Sequence, residues 1–312
     1  MNKRQLGKTG ITVSEVAFGG VEIGMPYGIG VHSAADMPTE AEAIALLHAA
    51  LDAGINFFDT ARQYGQSEAI MGKAFAGRRN EVVIATKCRH LGNVLDNVQD
   101  VIEQSLAESL EALQTGYADI YMLHDSDPTI ITHPDVVKKF AELKHAGRIK
   151  ATGISTYTPE ETRQAIESGH WDVIQVPFNL MDQRQETLFA QAADKGIGIV
   201  IRSVLMKGLL SDRGRGLHPA LQQVEQHIGH LHVLAQQTSL DLPTLATRFA
   251  LSFKNISAIL IGIDRVDYLN KSLEAANGEY LEAPVLQKAK ALAYPEPDFL
   301  NLHHWNVMGW LK

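Results

Sequence analysis

GINFFDTARQYGQSE, at residues 54–68, is the segment that indicates the fold of this chain most directly. Residues 56–59 carry the aromatic pair Phe57 and Phe58 and predict a short buried strand that ends in an acid, Asp59. Gly54 precedes the strand, at a position typical of a helix end where the chain turns back into a strand. Tyr64 follows in the next loop. A helix, a tight turn and a buried strand with polar residues at its end form the unit of an alternating α/β fold.

The same unit recurs along most of the chain. Short strands rich in Val and Ile are predicted at residues 16–19, 56–59, 82–87, 120–124, 149–153, 173–176, 198–201 and 258–261. Helices are predicted between them, at residues 39–52, 96–113, 134–145, 159–167, 184–193 and 266–275. Thr158 has the character of a helix N-cap, with Pro159 at the first helical position. Eight strands alternating with helices favour a closed parallel barrel, the (β/α)8 TIM barrel, over an open sheet.

Three segments lie outside this repeat. Residues 4–13 predict an N-terminal β-hairpin that turns at residues 8–10 and would plug the bottom of the barrel. Residues 24–38 predict a glycine-bearing loop insertion, and residues 293–312 a C-terminal extra helix or tail rich in Pro, His and Trp. Such loops often shape the pocket of a barrel enzyme. No segment has the composition of an interdomain linker, so residues 1–312 are predicted to form one domain.

Composition narrows the classes of protein that the chain can belong to. It has 312 residues, a net charge of −8 and no long basic run, which argues against a nucleic-acid partner. No uninterrupted apolar stretch is long enough for a signal peptide or a membrane span, so no membrane partner is expected. The single cysteine, Cys88, cannot form an internal disulfide, which is consistent with a reducing compartment. These features predict a cytoplasmic protein.

Four polar residues fall at positions that converge in a parallel barrel. Asp59, Lys87 and His124 end three successive predicted strands, and Tyr64 lies in the loop after the first. Residues at these ends point toward the mouth of the barrel, where active sites are built. A tyrosine has a pKa near ~10, so catalysis at neutral pH needs that pKa lowered or the proton relayed. Lys87 would stabilise the phenolate, Asp59 would hold Lys87 charged, and His124 would relay a proton or orient the substrate oxygen.

Each of these residues also has an ordinary structural interpretation. Asp59 could cap the next helix, and Tyr64 alone could be a packing residue. His124 alone is more often a satisfied core histidine, and a strand-end lysine such as Lys87 is usually solvated. The occurrence of all four at matching topological positions favours catalysis.

The residues also resemble a known family, the aldo-keto reductases. The similarity covers essentially the whole chain, in order, and is carried by RQLGKTGITVS at residues 4–14, the segment 54–68, ATK at 85–87, IYMLH at 120–124, GIS at 153–155 and QVPFN at 175–179, with the spaced residues Ser203, Leu205 and Gly208. The resemblance implies Tyr64 as the general acid/base with Asp59, Lys87 and His124 as its partners. It further implies direct hydride transfer, reducing an aldehyde or ketone, or in reverse oxidising an alcohol or sugar.

The resemblance also implies a non-covalent NAD(P)(H) cofactor lying across the barrel mouth. Its carboxamide would be held by Ser155 and Gln175, whereas Thr156 replaces the asparagine that is usual next to that serine. Arg202 stands where many relatives have an aromatic residue, and it would stack on the ring, turn to the pyrophosphate, meet an anionic substrate or pair with a carboxylate. The other implied cofactor residues are Gly20, Ser203, Leu205, Gly208, Gly262, Asp264 and Arg265.

The choice between NADPH and NADH is expected to depend on residues 262–268. A ribose 2′-phosphate needs cations, whereas a free 2′-hydroxyl prefers a carboxylate. Asp264 would repel a phosphate, and Arg265 is the cation in this segment that could hold one. The sequence therefore favours NADH or dual use, against a family default of NADPH.

The sequence gives less support to other classes of function. His227 and His230 share a helix face, but no carboxylate follows at a matching spacing, so a solvated surface is favoured over zinc and no metal site is predicted. A metal-dependent barrel hydrolase would need histidine pairs at strand ends, which the sequence does not offer. A catalytically silent, cofactor-sensing subunit resembling the β subunits of potassium channels is the main alternative. The complete set of four polar residues argues against it, and a small carbonyl or sugar substrate is expected.

Overall fold

The fold is a closed parallel barrel preceded by a small hairpin. A computed structural model describes residues 1–92, 97–124 and 127–311. The hairpin pairs β1 (Lys3–Gln5) with β2 (Thr12–Ser14) in antiparallel register. The barrel strands are β3 (Val16–Gly19), β4 (Phe57–Asp59), β5 (Val83–Lys87), β6 (Ala118–Leu123), β7 (Ile149–Ser155), β8 (Val173–Pro177), β9 (Gly198–Arg202) and β10 (Ile256–Gly262). They close in the order β10-β3-β4-β5-β6-β7-β8-β9, which confirms the predicted (β/α)8 barrel.

Helices surround the barrel and include all six that the sequence predicts. Their bounds are α1 (Val21–Gly24), α2 (Glu40–Asp52), α3 (Ser67–Ala74), α4 (Val98–Ala112), α5 (Pro128–Ile131), α6 (Pro134–His145), α7 (Pro159–Ser168), α8 (Glu186–Asp194), α9 (Gln222–Gln237), α10 (Leu242–Leu251), α11 (Val266–Ala275), α12 (Ala283–Ala291) and α13 (Leu302–Val307). The helix predicted over residues 96–113 begins two residues later, and Asp96 lies outside the described residues. The predicted loop at 24–38 contains a short 3-10 turn over Ala34–Asp36.

The interior of the barrel is filled from below by the hairpin. Leu6 and Val13 are fully buried and pack with inward-facing strand residues such as Phe57 and Ile120. The turn docks closely on the barrel wall: a Cβ atom on Gly7 would lie 2.4 Å from the carbonyl oxygen of Gly196, so only glycine fits there. The hairpin therefore plugs the bottom of the barrel, and the open mouth lies at the other end.

A larger apolar layer lies between the strands and the helices, and the C-terminal tail belongs to it. Trp305 of α13 is fully buried, and Phe299 packs against it with ring centres 5.5 Å apart. The tail thus packs against the outside of the barrel. No helix in the described part of the chain is long and apolar enough to cross a membrane. The single domain over residues 1–312 stays a prediction.

The predicted N-cap at Thr158 is present and can be tested. The Thr158 side chain accepts a hydrogen bond from the backbone N–H of Glu161, and the Glu161 carboxylate accepts from the Thr158 backbone in return. Thr158→Ala removes this capping box and should lower the free energy of unfolding by about 1 kcal/mol. Urea unfolding measures the loss. Thr158→Ser keeps the hydroxyl, and an equal loss in that variant would contradict the capping explanation.

Candidate active site

The most buried part of the site is an ion pair between residues that end two neighbouring strands. Asp59 is the last residue of β4 and Lys87 the last residue of β5. Lys87 Nζ lies 2.6 Å from Asp59 Oδ2 and also donates to the carbonyl oxygen of Thr60, at 3.1 Å. Burial lowers the pKa of Lys87, and the negative charge of Asp59 opposes that effect. Because Lys87 is fully buried and Asp59 only 2% exposed, each charge depends on the other.

Tyr64 lies next to this pair, in the loop between β4 and α3. Lys87 Nζ is 4.9 Å from the centre of the Tyr64 ring, within the range of a cation–π contact. Burial, followed by the charge of Asp59, raises the pKa of the Tyr64 phenol above its usual range. The sequence predicts that Lys87 stabilises the phenolate, but in the structure burial has the largest effect on the pKa, and the cation that opposes it is Arg202. The phenol therefore keeps its proton at neutral pH, as a proton donor must.

His124 lies beside Tyr64, directly after β6. The centres of the two rings are 5.9 Å apart in an edge-on contact, and the His124 ring stacks on His90 at 4.8 Å. Burial, the charge of Lys87 and His90 lower the pKa of His124 to about 2. The imidazole is therefore neutral at pH 7. This favours a hydrogen bond that orients the substrate oxygen over proton relay by an imidazolium.

Ser155 and Gln175 are register partners in β7 and β8, and both are almost fully buried. Gln175 Nε2 donates to Asp59 Oδ1 at 2.8 Å and so links β8 to the ion pair on the opposite side of the barrel. Thr156 behaves differently, because its hydroxyl is 2.7 Å from the hydroxyl of Thr162 in α7. That contact occupies the Thr156 hydroxyl, whereas the side chains of Ser155 and Gln175 line the cavity.

Arg202, the last residue of β9, is held by an aromatic ring and by the backbone. Its guanidinium carbon lies 4.2 Å from the centre of the Tyr157 ring, and Nη2 donates to the carbonyl oxygen of Thr156 at 2.9 Å. Nη1 donates more weakly to the Ser203 hydroxyl at 3.4 Å. Among the described residues, no carboxylate oxygen lies within 4 Å of the guanidinium, so a plain ion pair is not what holds it. Arg202 presents a cation at the mouth, stacked on Tyr157.

The segment 203–208, directly after β9, has an unusual backbone. Ser203, Met206, Lys207 and Gly208 all have positive φ, at 62°, 48°, 58° and 99°. Such conformations are costly for residues with side chains and cluster at functional sites. Turns that mix right- and left-handed residues form concave surfaces lined by N–H groups, which suit anions. The strained segment that contains Leu205 is therefore suited to a phosphate-bearing ligand.

Segment 262–268 places an acidic residue, Asp264, and a basic residue, Arg265, at the rim of the site. Arg265 Nε lies 3.0 Å from Asp264 Oδ1, so the predicted cation and anion pair with each other. Arg265 is half exposed, whereas Asp264 is 9% exposed by its side chain. Two cations that the sequence did not single out also reach this end: Arg213 Nη2 donates to the Tyr268 hydroxyl at 3.2 Å, and Lys271 lies one helical turn further on. Arg265 is therefore not the only candidate cation here.

One cavity of about 630 Å³ joins these groups. It extends from Tyr64 and His124 to Asp264, and every predicted site residue lines it except Lys87, which is buried behind Asp59, and Arg265. No residue of the described part of the tail lines the cavity, in contrast to the expectation for such loops. Lining residues that the sequence did not indicate include Glu22, Tyr27, Tyr157, Lys207, Arg213 and Lys271. Glu22 and Tyr157 follow strand ends closely, and that position is a signal that could have found them.

His227 has a structural contact that the sequence did not predict. Its Nε2 lies 2.8 Å from the carbonyl oxygen of Leu292, and its ring packs edge-on against Tyr294 with centres 5.1 Å apart. The residue is half-buried and joins α9 to the tail, whereas the sequence favoured a solvated surface.

Comparison with known proteins identifies the family of the chain. The chain belongs to the aldo/keto reductase family, whose model matches residues 16–292. It is 29% identical to the L-galactose dehydrogenase of Arabidopsis thaliana over 87% of each chain. It is also 29% identical to the NADH-specific methylglyoxal reductase of Escherichia coli (strain K12), over 89% of this chain and 94% of that protein. Among solved structures, the holo form of the aldo-keto reductase AKR11C1 from Bacillus halodurans matches with a TM-score of 0.78 and 27% identity, covering 94% of this chain and 96% of that one. The chain is therefore similar to oxidoreductases along nearly its whole length.

Proposed function

We propose that the protein is an NAD(P)(H)-dependent oxidoreductase that reduces an aldehyde or ketone to an alcohol, or oxidises a sugar or alcohol in reverse. The observation that carries this proposal is the cluster at the barrel mouth. The half-buried, protonated phenol of Tyr64 has its ring centre 4.9 Å from Lys87 Nζ, which forms a buried ion pair with Asp59. The Tyr64 ring also contacts the neutral imidazole of His124. A carbonyl that receives electrons at carbon needs a proton at oxygen, and this cluster is suited to deliver one.

The residues present fit a dinucleotide. The cavity is long enough to join the proton-transfer residues to the 262–268 segment, and its volume lies within the range of cofactor pockets. Ser155 and Gln175 would hold the carboxamide, and the concave segment 203–208 would hold the phosphates. Gly20, Arg202, Gly262 and Asp264 line the rest of the same cavity, and Arg265 flanks it. A bound nicotinamide supplies the two electrons that the protein itself lacks.

The protein's own part in the reaction is to bind the carbonyl and move one proton. Tyr64 donates its phenolic proton to the carbonyl oxygen as negative charge develops there. The Lys87 ammonium, held by Asp59, then stabilises the phenolate that is left behind. Neutral His124 donates a hydrogen bond to the same carbonyl oxygen and fixes its position. In the oxidising direction Tyr64 must first lose its proton, which its raised pKa makes harder at neutral pH.

The relatives support a small substrate. One is named for methylglyoxal and another for L-galactose, and both names fit a small carbonyl or sugar. The cationic Arg202 with Tyr157 at the mouth would favour a substrate that carries an oxygen-rich or anionic group. The three relatives described above are named as enzymes, so the sensing-subunit alternative has no observation in its favour.

The proposal is tested by titrating the purified protein with NADPH and NADH while following quenching of its tryptophan fluorescence. Saturable binding of either cofactor, followed by its oxidation on addition of a small aldehyde, is the expected result. An absence of binding by both cofactors would rule the proposal out. Binding without turnover across a panel of aldehydes, ketones and sugars would favour the sensing subunit instead.

Asp264→Asn tests the expected cofactor preference. Asp264 is the acidic residue of segment 262–268 that lines the cavity, and removing its charge should improve NADPH relative to NADH by about tenfold. The change also frees Arg265 from its partner, which acts in the same direction. The ratio of the two dissociation constants is the measurement. Arg265→Gln is the matched control and should shift the ratio the opposite way. An unchanged ratio in both variants would show that segment 262–268 does not determine the preference between NADPH and NADH.

A further inference from the structure

Glu22 is an acidic residue in the main cavity that the proposed mechanism does not use. It lies in α1, three residues beyond the end of β3. In the barrel β3 stands between β4 and β10, with Gly19 in register with Asp59 on one side and Gly262 on the other. Glu22 is therefore positioned between the proton-transfer residues and the 262–268 segment.

The Glu22 carboxyl packs directly against the backbone of Gly262. A Cβ atom at position 262 would lie 2.0 Å from Glu22 Oε1, so a side chain there would displace the carboxyl. Glu22 Oε2 is buried and, within the described part of the chain, has no hydrogen-bond partner. A buried oxygen without a partner is rare in proteins unless water or a ligand completes its hydrogen bond. The carboxyl thus packs against Gly262, and its Oε2 lacks a hydrogen-bond partner among the described residues.

The charges around Glu22 favour its neutral form. Asp59 on β4 and Asp264 beyond β10 both act on it, and both are acidic. Tyr64 and Tyr27 face it from two loops, and the burial of their phenols keeps both protonated. Burial has the largest effect and, with the two acids, raises the pKa of Glu22 to about 8. A hydrogen bond from the backbone of Glu22 to its own carboxyl acts in the opposite direction, but burial outweighs it. At pH 7 the carboxyl is therefore protonated, and Oε2 lacks a partner among the described residues.

We infer that Glu22 binds the dinucleotide as a neutral acid, donating a hydrogen bond from its carboxyl to a phosphate oxygen. This inference rests on the proposed function. An anionic oxygen is the strongest acceptor that such a donor can meet, and the ionised carboxylate would repel the same group. Segment 203–208, which is proposed above to hold the phosphates, lines the same cavity as Glu22. Glu22 is thereby a cofactor-binding residue.

Cofactor affinity should depend on pH in a defined direction. Only the protonated form of Glu22 binds, and the pKa in the free protein is about 8. The dissociation constant should therefore be constant below that pH and rise by about tenfold per pH unit above it. The bound phosphate raises the pKa of Glu22 further, so the complex takes up a proton on binding in that range.

The experiment measures the dissociation constant of NADH by tryptophan fluorescence from about pH 6.5 to about pH 9.5, a range that brackets the titration of Glu22. Glu22→Gln keeps a donor that cannot ionise, so binding should stay tight and lose its pH dependence. Glu22→Ala removes the donor and should weaken binding at low pH by about tenfold, also without pH dependence. Asp264→Asn removes one of the charges that raise the pKa of Glu22, so it should move the pH break downward.

The outcomes separate this inference from the proposed function. Binding with the same pH profile in wild type and Glu22→Gln would overturn the role of Glu22 and leave the proposed function intact. Wild-type affinity that improves as pH rises would also overturn it, because the ionised carboxylate would then be the binding form. Failure of NADH and NADPH to bind at any pH would overturn the proposed function and this inference together.

Discussion

Replacing Tyr64 with phenylalanine should lower kcat by about 10²–10⁴-fold, the range that a positioned general acid contributes. The change removes one oxygen from a ring that otherwise keeps its contacts with Lys87 and His124. Cofactor affinity should stay close to that of the wild type, because the proposed dinucleotide contacts lie elsewhere in the cavity. Steady-state kinetics with a small aldehyde and fluorescence titration with NADH give the two quantities separately.

A matched control exists at the opposite end of the barrel. Tyr117 precedes β6, where its ring lies between the cationic groups of Arg79 and Lys150. Tyr117→Phe makes the same chemical change far from the mouth and should leave kcat unchanged. Turnover of Tyr64→Phe within tenfold of the wild type would show that another group supplies the proton, and the proposed role of Tyr64 would be lost.

The pH dependence provides an independent check on the same residue. The raised pKa of Tyr64 keeps the phenol protonated through neutral pH, so carbonyl reduction should not depend on deprotonation of this group up to about pH 9. Alcohol oxidation needs the phenolate and should become faster as pH rises over the same range. A flat pH profile for reduction together with a rising profile for oxidation, both lost in Tyr64→Phe, is the signature of a single acid/base group.

The barrel could be predicted because its strands carry their own signal. Most of them combine β-branched residues with a turn glycine before the strand, and this local pattern does not depend on distant contacts. Helix α3 was missed for a physical reason, since Gly72 lowers its helical propensity. That glycine is required by packing: a Cβ atom there would lie 2.3 Å from the carbonyl oxygen of Ala112, at the end of α4. Long-range packing outweighed local propensity in this helix.

The same contrast between local sequence signals and long-range contacts applies to the candidate site. Asp59, Lys87 and His124 could be predicted to converge because strand ends meet at one mouth. Glu22 lies against Gly262, which is 240 positions away in sequence, and no local pattern reports that contact. Arg213 reaches Tyr268, 55 positions away, and that contact too depends on the fold. The sign of the Tyr64 pKa shift also needs the structure, because it depends on how far burial outweighs the neighbouring cation.

Replacing Lys87 with methionine should destabilise the fold and remove turnover at once. The substitution preserves much of the side-chain volume but leaves the Asp59 carboxylate buried, with Gln175 as its remaining side-chain donor among the described residues. Breaking a buried ion pair from one side typically costs about 3–5 kcal/mol. Urea unfolding at pH 7 measures that loss. Lys73→Met is the control, because Lys73 forms an exposed pair with Glu40 and should cost no more than about 1 kcal/mol.

The double variant Asp59→Asn with Lys87→Met separates stability from catalysis. Neutralising both partners removes the uncompensated charge, so most of the lost stability should return. Turnover should not return, because the phenolate of Tyr64 would still lack the ammonium that stabilises it. A double variant that regains both stability and turnover would show that the pair only supports the fold. Recovery of stability alone would place the Lys87 charge in the reaction itself, since folding would then no longer depend on it.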